Sequence, residues 1–441
     1  MRVGARRRTA ACAESARDSV RVVREVNWAG NVVYDAASVQ APASVSELRA
    51  LILAAPAIRV LGSRHSFNSI ADAPRLVTLR ALPVRFEADR EARTVSFGSA
   101  VTYGELAGLL REQRLALANL GSLPHISVGG SIATGTHGSG DRVGNLATAV
   151  AGLELVTSDG ELIEAHRGDA DFDGLVVGLG ALGAVTRVTL DVEPEYDVTQ
   201  VVYEGLSWPA LEANFDELFA TGDSVGVFTR WGENAGQLWV KRRASGEPAD
   251  AREIFGATAA SAQLHPIPGG DPAACTDQLG VPGLWCDRLP HFRLQFTPSA
   301  GEELQSEYLL PRAHARAAID AIRRLAPRIR PVLHISEIRT VAADRLWMSP
   351  QYGRETVAIH FTWYRDQQRL LPVLREIETA LAPLHARPHW GKLFLARAEA
   401  ITPLYARSAD FAALCAKLDP RGAFRNEWLE QRLLGAAGAG G

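Results

Sequence analysis

Four short stretches bring reactive side chains to spacings that chemistry can use. "LGSRHSFN" sets His65 in a turn of glycine, serine and asparagine, just past the apolar run from Ala57 to Leu61. An imidazole there can cap a helix, bind a metal, act as a base or be modified. "SEIRTV" carries Glu337 and Arg339 two residues apart, and on a strand they share a face. In "AIHFTWY", His360 and Thr362 share one face while Ile359, Phe361 and Trp363 take the other. "RPHWGK" places His389, Trp390 and Lys392 after a proline. Each stretch has a plainer reading: a Glu/Arg pair is most often a solvated face, and a strand histidine is usually bonded in a core. The last three together supply a carboxylate, two cations, imidazole and a hydroxyl, the groups a hydroxyl-rich substrate needs.

Lysine is rare here. Of 47 basic residues only Lys241, Lys392 and Lys417 are lysines. Where arginine is the habitual cation, a lysine can be present for its own chemistry.

A fifth stretch is built for close approach rather than charge. "NLGSLPHISVGGSIATGTHGSG", Asn119 to Gly140, is crowded with glycine, serine and threonine. Its backbone N–H groups can approach a ligand and hold phosphate oxygens. Ile126, Val128 and Ile132 make it partly buried, so its polar groups need partners. By contrast, Gly178 to Gly183 fits GxGxxG literally but precedes the alternating strand "AVTRVTL" instead of a helix. No βαβ unit surrounds it, which argues against an NAD site and for a glycine-rich bend.

The positioning elements follow from pattern. Ser44 to Glu47 and Thr102 to Glu105 have capping-box form and lead helices with Leu48, Leu51 and Ile52, and with Leu106, Leu109 and Leu110. Strands are expected at Ile58 to Leu61, Thr94 to Phe97 and Ala184 to Val192, with a hairpin around Ser158-Asp159-Gly160. After residue 195 aromatic strands alternate (226 to 231, 237 to 240). A Pro/Gly-rich connection from Pro266 to Gly283 and a helix over 313 to 325 follow. The fold class is α+β, with an N-terminal extension over 1–26, a first domain over 27–195, a second over 196–392 and a returning segment over 393–441.

Composition excludes several classes. With 47% hydrophobic and 22% charged residues, 441 positions suffice for a large core. A net charge of -3 gives no basic excess for nucleic acid. Cys12, Cys275, Cys286 and Cys415 lack metal-knuckle spacing and are expected as reduced thiols. No apolar run has the length of a membrane span, and no apolar segment follows Arg6-Arg7-Arg8. The expectation is a cytoplasmic monomer with a small-molecule ligand, no membrane, no nucleic acid and no metal.

"GSRHSFN", "SLPHISVGGSIATGTHGSG", "ELQSEYLLPR", "SEIRTVAAD" and "RPHWGK" together resemble the vanillyl-alcohol-oxidase-type flavoproteins, and within them the alditol oxidase branch, related to the aldonolactone oxidases. The resemblance spans about Asn27 to Trp428. It implies an FAD-binding domain of this type (the PCMH type) and a substrate or cap domain with a large antiparallel sheet. It implies FAD joined covalently to His65. Arg64 departs from the small residue often found there. The cofactor cradle would comprise Gly62, Ser63, Arg64, Ser66, Gly121, Ser122, His125, Ser127, Gly129, Gly130, Ser131, Thr134, Gly135, His137, Gly138, Gly183, Val185 and His389.

The implied reaction oxidises the terminal CH–OH of a polyol such as xylitol or sorbitol to the aldose, with hydride passing to flavin N5 and O2 reduced to H2O2. Arg339 and Lys392 would stabilise charge on the reacting oxygen. Glu337, His360, Thr362 and Ser122 would bind further hydroxyls. In related enzymes a residue beside the loop serine shields the flavin from oxygen; Gly121 would leave it open. An aldonolactone oxidase or dehydrogenase is the nearest alternative, and a non-catalytic flavin- or sugar-binding protein the next.

Overall fold

Local signals place the first helices. In the computed structural model, which describes residues 24–244, 251–296 and 301–435, Ser44 caps the helix Val45–Ala54 by accepting from the Glu47 N–H at 3.2 Å. Thr102 caps Tyr103–Glu112 in a complete box: its hydroxyl accepts from the Glu105 N–H, and the Glu105 carboxylate accepts from the Thr102 N–H. Leu48 and Ile52, four apart, bury one face of the first helix; Leu106 and Leu110 do so for the second. The expected extension lies outside the described residues up to position 23, as does Cys12. Cys275, Cys286 and Cys415 are free thiols.

Three small sheets occupy the first part of the chain, one of them only Leu115–Ala116 paired with Glu193–Pro194. Val39–Gln40, Leu76–Val77 and Arg59–Val60 form a parallel trio. Glu87–Asp89, Thr94–Gly98, Ala184–Asp191, Val150–Val156 and Leu162–His166 form an antiparallel sheet in that spatial order. The last two make the expected hairpin, turning at Gly160 with φ +77°.

The GxGxxG stretch is a bend, and its cause is Arg59. Leu179 and Gly180 both have positive φ, +52° and +66°. Their carbonyls accept from the buried Arg59 guanidinium, as do those of Ile70 and Phe424. Four backbone carbonyls thus satisfy one buried cation, and the C-terminal segment is tied to the bend. Phe424 also packs with Leu48, Ile52 and Val77. Inside Asn119 to Gly140 the structure has a six-residue helix, Val128–Ala133.

From residue 197 the chain builds a ten-stranded sheet whose central order is Asp197–Leu206, Gly236–Arg243, Ser224–Thr229, Leu333–Val341, Thr356–Tyr364 and Glu303–Pro311, all antiparallel. Alternation gives the sheet two faces. Ile338, Ile359, Phe361 and Trp363 pack in one core with the helices Ala315–Arg324 and Gln367–Leu381. Glu307, Glu337, Arg339, His360 and Thr362 point the other way, into a cavity shared with the small-residue loop. Among the described residues no helix is long and apolar enough to cross a membrane.

Candidate active site

Register assembles the polar face. Glu307 lies opposite His360, His360 opposite Glu337, and Glu337 opposite Phe228, one row across four strands. Arg339 stands between Ala358 and Gly226, whose small size leaves room for a guanidinium. A Cβ on Gly226 would lie 2.6 Å from Glu337 Oε1 and would push that carboxylate aside.

Glu307 is the hub. Its buried carboxylate accepts from Arg339 at 2.6 Å and from Lys392 at 2.5 Å. Lys392 Nζ also reaches His360 Nδ1 at 2.9 Å, and His360 Nε2 lies 3.0 Å from Thr362 Oγ1. An ammonium only donates, so Nδ1 accepts and Nε2 holds the proton given to the threonine oxygen. The Thr362 hydroxyl hydrogen is left to turn toward a ligand.

The electrostatics follow from this pairing. Burial works against the charge on Glu307, but Lys392 and Arg339 hold the carboxyl well below its usual range. Burial likewise opposes charge on Glu337, and Arg339 and His291 bring it to about 2. Burial lowers Lys392 while Glu307 resists. For Arg339, Glu337 and Glu307 outweigh burial and raise it. His360 and His389 are pushed well down, first by burial and then by Lys392. Two carboxylates and two cations therefore cancel beside neutral rings.

The facing wall carries His65. Its ring stacks on Trp28, with centroids 5.4 Å apart and planes 23° apart. Burial, then His125, lowers it to about 4, so the imidazole is neutral and keeps a lone pair. Nδ1 is buried without a hydrogen-bond partner. His137 donates from Nδ1 to the Gly138 carbonyl at 2.8 Å, which leaves its Nε2 buried and unpartnered, 3.4 Å from Glu307. Two orphaned imidazole nitrogens facing a cavity floored by glycines fit a large polar cofactor with a reactive ring.

Most sequence-chosen residues meet here. Gly62, Ser63, Arg64, His65, Ser66, Gly121, Ser122, Ser127, Gly130, Ser131, Thr134, His137 and His389 line the cavity with Glu337, Arg339, His360, Thr362 and Lys392. Six others stand behind its wall. Gly129 packs on Ser99, Gly135 near Pro350, Gly138 against Asn119, and Gly183 against Leu155. The Val185 carbonyl accepts from the Ser99 hydroxyl, and His125 bonds the Leu294 carbonyl at 2.8 Å. One donor set also has metal-like spacing: ligand atoms of His137, Glu307 and His389 lie within 4.8 Å of one another. Arg339 and Lys392 already hold that carboxylate, and a divalent cation would sit against both.

The sequence is 49% identical over 414 residues to alditol oxidase from Streptomyces sp. (strain IKD472 / FERM P-14339), covering 93% of this chain and 99% of that one. The chain belongs to the alditol oxidase branch of the vanillyl-alcohol-oxidase-type flavoproteins. An FAD-binding-domain family model matches residues 36–166, and a D-arabinono-1,4-lactone oxidase model matches 301–432. L-gulono-1,4-lactone dehydrogenase of Mycobacterium tuberculosis (strain ATCC 25618 / H37Rv) is 27% identical over 93% of this chain and 98% of its own. The crystal structure of cholesterol oxidase from B. sterolicum superposes with a TM-score of 0.75 at 16% identity, over 93% of this chain and 96% of that chain, and so shares the fold. As a member of this branch the protein is an FAD-binding oxidoreductase.

Three residues of the site escaped the sequence reading. Glu307 lay inside the quoted "ELQSEYLLPR" without a role. Its signal was a charged residue entering the apolar run Tyr308-Leu309-Leu310. Rarity is the one sequence signal for Lys241, and His291 carries none. Lys241 Nζ bonds the Leu289 and Pro290 carbonyls and His291 Nδ1, and His291 Nε2 lies 3.0 Å from Glu337 Oε1. Burial brings Lys241 down to about 7, with Glu337 resisting.

Proposed function

We propose that the protein is an alditol oxidase that converts a terminal CH–OH of a polyol such as xylitol or sorbitol to the aldose and passes two electrons to O2, giving H2O2. The observation that carries this reading is the buried polar face on the strands. Two carboxylates and two cations cancel in charge, and hydroxyl and imidazole groups surround them, a lining suited to a neutral ligand rich in hydroxyls. FAD, held by the Gly62–Ser66 turn and the loop around Gly121–His137 and joined to His65, supplies the hydride acceptor.

The chain's own groups do the rest. Arg339 and Lys392 face the cavity and stabilise negative charge as the reacting hydroxyl gives up its proton, which together with the hydride taken from carbon ends on the H2O2. Glu307 holds both in place and keeps them charged. Glu337 accepts from a second hydroxyl, and Thr362, His360 and Ser122 bond further along the chain. A site with this many polar groups rejects an alcohol that lacks the matching hydroxyls, because its own buried groups are left unpaired. Residues 27–195 would form the cofactor domain, 196–392 the cap and 393–441 the return, a division supported by the placement of the small sheets before 195 and the large one after 196.

The second reading is oxidation of an aldonolactone, favoured by the D-arabinono-1,4-lactone oxidase match over 301–432, which includes Glu307, Glu337, Arg339, His360 and Lys392. The flavin spectrum separates the two. Anaerobic xylitol bleaches the purified protein and air restores the colour if the polyol reading holds. A protein that stays oxidised with xylitol but bleaches with L-gulonolactone reverses it.

A further inference from the structure

Lys241 belongs to no step described so far, yet it is fully buried in the middle of the large sheet. Its three bonding partners, the carbonyls of Leu289 and Pro290 at 2.5 and 3.1 Å and His291 Nδ1 at 3.3 Å, match the three hydrogens of an ammonium. On the other side of the ring, His291 Nε2 faces Glu337 Oε1 at 3.0 Å. An ionised carboxylate only accepts, so the imidazole proton sits on Nε2 and Nδ1 offers its lone pair to Lys241. The ring cannot swing away. It meets Phe228 and Trp239 edge-on, at 5.2 Å and 77° and at 5.6 Å and 85°. The second oxygen of Glu337 lies 3.5 Å from Arg339 Nε.

The same device occurs on the neighbouring strand of the same sheet. Lys392 fixes the tautomer of His360, and His360 fixes Thr362. An ammonium orders an imidazole in each case, and each imidazole aims one ligand-facing oxygen.

We propose that Lys241 and His291 are positioning residues that hold Glu337 as an ionised acceptor in a single orientation, and so set the enzyme's affinity for substrates with a second hydroxyl. This rests on the polyol reading of the site. Lys241 stands outside the cavity lining, and His291 reaches it beside Glu337. Their loss should weaken substrate binding through Glu337 and spare the chemical step at Arg339 and Lys392.

The test is a double-mutant cycle on the flavin-loaded enzyme, with kcat and KM measured separately for xylitol. Glu337→Gln should raise KM. Lys241→Met, which keeps the length and removes the donors, should raise KM about tenfold and leave kcat within about threefold. In the Glu337→Gln background the added Lys241→Met change should move KM by less than about twofold, because the two act through one contact. His291→Gln, whose amide can still donate to Glu337, should stay near the wild type, while His291→Phe, which preserves the ring packing, should match Lys241→Met. The His291 pair gives the same reading if Lys241→Met does not accumulate as yellow protein. Additive KM effects in the cycle, or equal losses in His291→Gln and His291→Phe, overturn the positioning role and leave the polyol reading standing. An unchanged xylitol KM in Glu337→Gln overturns both.

Discussion

The cavity has two walls, and they recognise by opposite means. The loop wall, Asn119 to Gly140, contains no carboxylate, lysine or arginine. Its polar groups largely bond locally, as when Thr134 Oγ1 donates to the Gly130 carbonyl and Ser131 Oγ to the Val128 carbonyl. It makes room by withholding side chains. The sheet wall is built from large charged side chains far apart in the chain: Glu307 and Arg339, on strands, join across 32 residues, and Lys392, in the bend after Arg387–Pro388, reaches Glu307 across 85. The first wall suits a cofactor held through its backbone contacts, and the second a substrate held through hydroxyls. A disturbance should therefore act through space in one wall and through charge in the other.

The largest effect is expected at the hub. Glu307→Leu leaves Arg339 and Lys392 buried without their shared counter-ion, a loss of about 3–5 kcal/mol for a broken buried pair. The melting temperature and kcat/KM for xylitol should both fall steeply, whereas Glu307→Gln, which keeps the shape and one acceptor, should fold better and still lose activity. Unchanged melting in Glu307→Leu would mean the sheet wall is not held by its charges.

The matching disturbance in the loop wall is steric. A Cβ on Gly138 would run into the Leu120 carbonyl and lie 2.5 Å from Asn119 Oδ1. Gly138→Ala must shift backbone, at a cost of about 1–3 kcal/mol, and should lower the flavin bound per chain while the charged cluster stays intact. Flavin absorbance at 450 nm against protein, measured with circular dichroism, reads the two apart. Full flavin occupancy in this variant would show that the loop wall tolerates side chains and that the contrast is wrong.

The same contrast decides what could be read from the sequence. The His65 turn, the capping boxes, the hairpin at Gly160 and the two-residue pairs Glu337/Arg339 and His360/Thr362 are local, and periodicity places them. Glu307, Lys241, His291 and Gly226 become functional only once strands separated by dozens of residues are set in register, and no single segment records that. The helix Val128–Ala133 was hidden for another reason. Gly129 and Gly130 have poor helical propensity, and tertiary packing of Val128 and Ile132 overrides it. Gly178 to Gly183 shows the converse, a recognisable motif whose glycines serve Arg59.

Acid should find the sheet wall before the loop wall. His291, His360 and His389 are held below the ordinary imidazole value. The unfolded chain takes up those protons near ~6.5 while the folded chain refuses them, so stability is full above that value and declines as pH falls. Glu307 and Glu337 are held below their ordinary value, so their contribution is present above ~4.5 and is lost as pH falls further, toward about 2 for Glu337. Both sets act in one direction. The melting temperature of the loaded enzyme should drop continuously from pH 7 to 4, and a flat profile would contradict the neutral rings.

The smallest effect is expected at Gly121, where the loop wall has space to spare. A Cβ there would find its nearest neighbours, the His137 carbonyl, Leu146 and Thr136, all at 3.9 Å. Unlike Gly138→Ala, Gly121→Ala should leave folding and flavin content unchanged. If the open space beside Ser122 is the path by which oxygen reaches the reduced enzyme, filling it should act on that half-reaction alone. Gly121→Val should slow reoxidation by O2 about tenfold and leave reduction by xylitol within about twofold, since the sheet wall that binds the polyol is untouched. Stopped-flow traces of the two half-reactions make the comparison. Equal slowing of both would mean that position 121 supports substrate binding as well, and that the walls are less separate in function than in construction.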